Sequence, residues 1–97
     1  MPHTCTVIVP ITPLPGSRER VLALFDAVVP TIREGAGVLR YDVFVGQGQI
    51  VLIEEWVDRD SWQAHFGWEP IQRLKRELPD LVEMPVERWE LYERPIS

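Results

Sequence analysis

Two hydrophobic periods alternate along this chain, one of strands and one of helices. Cys5–Ile11 (CTVIVPI) is a strand-sized apolar run with Pro10 near its end, where a proline suits an edge or terminal position. After the loop Pro13-Leu14-Pro15-Gly16, residues Val21, Leu24, Phe25, Val28 and Ile32 recur at helical spacing. They predict an amphipathic helix over residues 17–33, with Ser17 as its N-cap. Pro30 removes a backbone donor inside it, so a kink or a loosened last turn is expected. Gly35-Ala36-Gly37 ends the helix.

Val38–Val45 (VLRYDVFV) is the second strand. Gly46-Gln47-Gly48 is a tight hairpin turn, and residues 49–57 (QIVLIEEWV) are the third strand. Asp58 caps a short helix carrying Trp62, His65 and Phe66 at i, i+3 and i+4, which Gly67 breaks. Pro70 suits the first position of a further helix that presents Ile71, Leu74 and Leu78 on one face, and Pro79 ends it. Residues 86–93 (VERWELYE) alternate and read as the last strand. The order β-α-β-β-α-β is the ferredoxin-like split arrangement of the α+β class, with helices on one face of an antiparallel sheet. Its hairpin is apolar on both sides: Ile50 and Leu52 point one way, Val51 and Ile53 the other. One helical layer covers only one side, so a second copy packed sheet to sheet is expected, making a homodimer.

A length of 97 residues allows one domain, taken as residues 1–97. The net charge of −5, with arginines scattered among acids, offers no stripe for phosphates and argues against nucleic-acid binding. No apolar run reaches the length of a membrane span. The start, Met1-Pro2-His3-Thr4, has no basic region followed by a long apolar one, so the cytoplasm is the expected compartment. The single cysteine, Cys5, reads as a small strand residue, and excludes an internal disulfide or a cysteine metal cage within one chain. With no Gly-rich phosphate loop and only His3 and His65 as histidines, neither a metal nor another cofactor is expected.

With that order in place, the residues resemble the antibiotic biosynthesis monooxygenase family, and within it the small quinol monooxygenases. The resemblance rests on Val29-Pro30-Thr31 late in the first helix, Gly37 followed by Tyr41, and Ile50-Val51-x-Ile53-Glu54-x-Trp56 on the third strand. Ala64-His65 on the short helix and Leu81-x-Glu83-Met84 before the last strand complete it, so that it spans nearly the whole chain. It implies a dimeric α/β barrel with one pocket per subunit between sheet and helices. It also implies the oxidation of a small hydroquinone-like or polycyclic phenolic substrate by dioxygen without a cofactor. The family also holds haem-degrading enzymes, isomerases and proteins of unknown role.

Such chemistry needs a base or proton relay, groups that hold an anion, and a dry pocket. His65 is the candidate base, because its ordinary pKa lies near neutrality; the alternative is a structural histidine. Glu54 sits in an apolar strand, so it is either paired, with Arg40 or Arg73 as partners, or raised in pKa and able to act as acid or base. Trp56 shares its strand face with Glu54; it is either a core tryptophan or, as the resemblance implies, a stacking wall for a flat substrate that also offers its indole N–H. Tyr41 is either sheet core or a donor to a substrate oxygen, and Phe25 and Phe66 are core that in part lines the pocket. Three departures from the family bear on the activity. The chain has no asparagine, whereas anthrone-oxidising members use one with a tryptophan. The positions matching the Asn-Trp-His trio of haem degraders are Val9, His65 and Lys75. Ile71 stands where quinol monooxygenases carry a second histidine. A non-catalytic dimeric binding module, and an isomerase or lyase using the same pocket for proton transfer, are therefore the competing readings.

Overall fold

The computed structural model describes residues 3–96. Met1 and Pro2, part of the stretch read for a leader, and Ser97 lie outside the described residues. Four strands form one antiparallel sheet: β1 (Cys5–Ile11), β2 (Val38–Val45), β3 (Ile50–Trp56) and β4 (Trp89–Leu91), in the order β2-β3-β1-β4. The helices are α1 (Arg18–Arg33), α2 (Arg59–His65) and α3 (Glu69–Glu77), followed by a 3₁₀ turn over Leu78–Asp80. This is the expected ferredoxin-like α+β arrangement.

β1 and β3 alternate between buried and half-buried positions along their whole length. Cys5, Val7, Val9 and Ile11 of β1 share the inner face with Ile50, Leu52, Glu54 and Trp56 of β3. Against that face α1 packs its periodic stripe of Val21, Leu24, Phe25, Val28 and Ile32. The helix continues through Pro30 to Arg33. Ser17 occupies the N-cap position, but its side chain makes no capping bond.

The opposite face carries Ile8, Val51 and Ile53 half-buried, with Phe44, Trp89 and Leu91 each at least 45% exposed. Arg40 bridges Asp42 and Glu55 there.

Two irregularities shape the inner face. The first is a bulge in β2 between Val38 and Arg40. Val38 pairs with Trp56, yet Arg40 pairs with Glu55 and Tyr41 with Glu54. A straight ladder would have set Arg40 opposite Glu54; the extra residue, Leu39, turns Tyr41 inward instead and sends Arg40 to the other face.

The second concerns the last strand, expected over residues 86–93 but paired only at Trp89–Leu91. Val82 already bridges Pro13, and Trp89 pairs with Ile8. The six residues between Val82 and Trp89 therefore face only four of the chain beyond Ile8, and the surplus bows out of the ladder. That bowed segment closes one side of a cavity with Met84, Val86 and Arg88. It also leaves Pro10 beyond the reach of β4, where a missing N–H breaks no ladder on that side.

Candidate active site

A cavity of about 250 Å³ opens between the inner sheet face and the helices. This lies just below the roughly 300–1,000 Å³ of pockets for drug-sized ligands, so it suits a molecule of one or two rings. Val9 and Ile11 of β1 and Leu52 of β3 form its floor, and Phe25, Ile71 and Leu74 supply helical walls. Five polar side chains border this apolar space: Tyr41, Glu54, His65, Lys75 and Arg88.

His65 is placed by α2. Asp58 starts that helix, its Oδ1 accepting from the Ser61 N–H at 2.8 Å, and one pair of turns later the chain breaks away toward α3. The His65 carbonyl then accepts from the Trp68 N–H at 2.9 Å. The imidazole is buried, and its Nδ1 is bonded to the Trp62 carbonyl. A carbonyl only accepts, so Nδ1 carries the proton and Nε2 is left as the basic nitrogen. Burial holds the His65 pKa below its ordinary value, although the bond to Trp62 works the other way. The ring is thus neutral near pH 7 with a free lone pair.

Glu54 is 3% exposed, and neither of its expected partners reaches it. Arg40 is engaged with Asp42 and Glu55, while Arg73 pairs with Glu77 at 2.8 Å. The expectation of a structural ion pair is corrected: the bulge in β2 sent Arg40 to the other face. What Glu54 has instead is one hydrogen bond, from Trp56 Nε1 to its Oε1 at 3.0 Å. Burial pushes its pKa up to about 7, against the opposing effects of the Trp56 N–H and the Arg88 charge. Near neutral pH this carboxyl is therefore partly protonated, at the same cavity as a neutral histidine.

Trp56 differs from its expected place as a stacking wall. It is wholly buried and is not among the cavity-lining side chains; its indole N–H is occupied by Glu54. Its ring lies 4.5 Å from that of His65, so it supports both polar groups from behind. Trp68 packs against it in turn, at 5.9 Å. Trp68 fits only because residue 35 is glycine: a Cβ there would lie 2.0 Å from the Trp68 ring. Tyr41, Phe25 and Phe66 all border the cavity, and burial pushes the Tyr41 phenol well above its ordinary range. Sequence reasoning missed Arg88 and gave Lys75 no role in a pocket. Lys75 follows Ile71 by one helical turn, a spacing that puts both on one face. Arg88 shares its alternation with Val86, but its neighbourhood depends on the bow in the last strand.

Among the described residues no group of three or more His, Cys, Asp and Glu side chains is arranged to hold a metal ion. Among the described residues no helix is long and apolar enough to cross a membrane.

Comparison with known proteins bears on this site. A family model described as antibiotic biosynthesis monooxygenase matches residues 4–77. Among curated proteins none matches the chain significantly. Solved structures do. One is the protein PA3566 from Pseudomonas aeruginosa, with 28% identity, a TM-score of 0.88 and 98% of each chain covered. Another, described as an antibiotic biosynthesis monooxygenase, has 29% identity and a TM-score of 0.86, covering 94% of this chain and 99% of the other. SnoaB, a cofactor-independent oxygenase from Streptomyces nogalater, shares the fold at 15% identity, with a TM-score of 0.82 and coverage of 97% and 96%.

Proposed function

The chain belongs to the antibiotic biosynthesis monooxygenase family, and from that premise we propose that it oxidises a small hydroquinone-like phenol with dioxygen, using no bound cofactor. The observation that carries this reading is His65: its Nδ1 is tied to a backbone carbonyl, so a neutral Nε2 is available at an apolar cavity next to a carboxyl that titrates near pH 7. SnoaB supports the absence of a cofactor, as a protein of the same fold described as a cofactor-independent oxygenase.

In this mechanism His65 Nε2 takes the proton of a substrate hydroxyl. The resulting anion passes one electron to dioxygen, and the radical pair combines at a ring carbon to give a hydroperoxide. The O–O bond then breaks, one oxygen staying on the ring as a carbonyl and the other leaving as water, while the ring carbon gives up its hydrogen as a proton. A quinol plus dioxygen thus becomes a hydroxyquinone plus water. Glu54, partly protonated near pH 7, supplies the proton to the departing oxygen. Tyr41, Phe25 and Phe66 hold the ring, and the apolar walls exclude water from the anion.

The working unit of the proposal is a homodimer. Phe44, Trp89 and Leu91 are each about half exposed on the outer sheet face, and covering the exposed half is worth roughly 1 kcal/mol apiece. Packing two such faces around a two-fold axis gives the α/β barrel. Sedimentation at micromolar concentration should give twice the monomer mass; a monomer would remove this part of the proposal.

The activity is tested with an oxygen electrode and a reduced naphthoquinone. Uptake should exceed autoxidation, label from ¹⁸O₂ should enter the product, and His65→Ala should reduce the rate by roughly 10²–10⁴-fold. No uptake with any electron-rich phenol would instead favour proton transfer without oxygen. The pairing of a neutral histidine with a carboxyl titrating near 7 would serve that chemistry equally.

A further inference from the structure

We propose that the substrate carries a carboxylate, received by Arg88 and Lys75 at the outer rim of the cavity. This deepens the aromatic-substrate reading above and rests on it.

The inference starts from how the cations of this chain are used. Arg33, Arg40, Arg59, Arg73 and Arg76 each have a carboxylate partner within 3.4 Å. Of the cations without one among the described residues, Arg88 and Lys75 both border the same cavity. They come from different elements: Lys75 from α3, Arg88 from the segment that bows out before β4. The Arg88 guanidinium lies 5.2 Å from the centre of the Phe66 ring, itself a cavity wall, and that contact holds it at the cavity. Both side chains are exposed, whereas Glu54 and His65 are buried, so the cations mark the outer end of the cavity and the proton-handling groups the inner end.

The charge balance favours an anion. The chain as a whole carries a net charge of −5, yet this opening has two cations. Inside, His65 is neutral and Glu54 only partly ionised; Glu54 feels the Arg88 charge, but neither cation has a carboxylate paired with it. A neutral phenol seated in the cavity offers these exposed cations hydroxyl oxygens as acceptors but no opposite charge. A carboxylate at the same end would accept a bidentate pair from Arg88 and a further bond from Lys75. Discrimination then comes from the gain for the acid, since its neutral analogue leaves both cations to water. Anchored at the rim, the acid group would also set which end of the ring enters, presenting the phenol to His65.

The test uses calorimetric titration of the wild-type protein with a hydroxynaphthoate and with the matching hydroxynaphthamide, which has nearly the same shape and no charge. The acid is expected to bind about tenfold or more tightly than the amide at low salt, and the ratio should fall as salt is added. Arg88→Gln and Lys75→Gln should each cut the ratio about threefold or more, and Arg88→Lys should restore part of it. If the amide binds but the ratio is near one, or neither glutamine variant changes it, the carboxylate proposal fails while the aromatic pocket stands. If neither compound binds, both readings fall together.

Discussion

Replacing Glu54 by glutamine keeps the shape of the side chain and an oxygen to accept the Trp56 N–H, while removing the ability to ionise. The consequence follows from linkage. In the folded protein the carboxyl titrates near 7 rather than at its ordinary 4.5, because burial disfavours its charged form. Between these two values the folded state holds more protons than the unfolded one, so stability falls as pH rises. The loss begins above pH 4.5 and is complete above about pH 7. Its full size is about 3 kcal/mol, a large part of the 5–15 kcal/mol typical of a domain. The Glu54→Gln variant lacks this slope. It should match wild type to within about 1 kcal/mol at pH 5 and exceed it by about 2–3 kcal/mol at pH 8. Titration of His65 contributes to both proteins and cancels in the difference. Urea denaturation at several pH values, at one fixed protein concentration, measures the two curves. Parallel curves would show that Glu54 is not held near neutrality. A variant less stable than wild type at pH 8 would mean that the carboxylate has a cationic partner in solution, and the acid role assigned to it would fall with that result.

Trp56→Phe should raise the Glu54 pKa further, since the indole N–H favours the charged form, so the same pH-dependent loss should move to more alkaline pH. Because Trp56 stands behind the cavity wall, its loss should change the pH profile of turnover more than KM; the reverse result would restore it to the wall. Gly35→Ala should destabilise the fold by roughly 1–3 kcal/mol through overpacking against Trp68, seen as a lower denaturation midpoint and altered tryptophan fluorescence. An unchanged midpoint would mean that Trp68 has room to move. Asp58→Ala should cost about 1 kcal/mol by uncapping α2 and should weaken kcat through His65, whereas a purely structural cap would leave kcat unaltered.

Much of the site was legible in the sequence residue by residue. A carboxylate within an apolar strand announces unusual surroundings, and a histidine at i+3 from a tryptophan on a short capped helix announces a helix packed on something. Glu54, His65, Tyr41, Phe25 and Phe66 do meet at one cavity. For Trp56 the sequence pattern gives the strand face but not the depth. Alternation decides which side of a sheet a residue occupies, not whether a helix and its neighbouring aromatics cover it. Trp56 lies at the end of β3, opposite Val38 and Cys5, where His65 and Trp68 close over it.

The local code by itself determined the element order, the fold class and the inward face of each long element. Periods of two and of 3.6 are properties of neighbouring residues, and Asp58, Gly48 and the prolines act within a few positions of themselves. What only the tertiary structure decided is how strands with surplus residues pair. One extra residue at Leu39 separates Arg40 from Glu54 and leaves that carboxyl without a counterion. Two extra residues before Trp89 bow the segment out of the ladder, so that Met84 and Val86 join Arg88 in closing one side of the cavity. Both are register effects between segments distant in sequence. A one-residue slip reverses every side chain that follows, and nothing in the slipped strand alone records which partner it will meet.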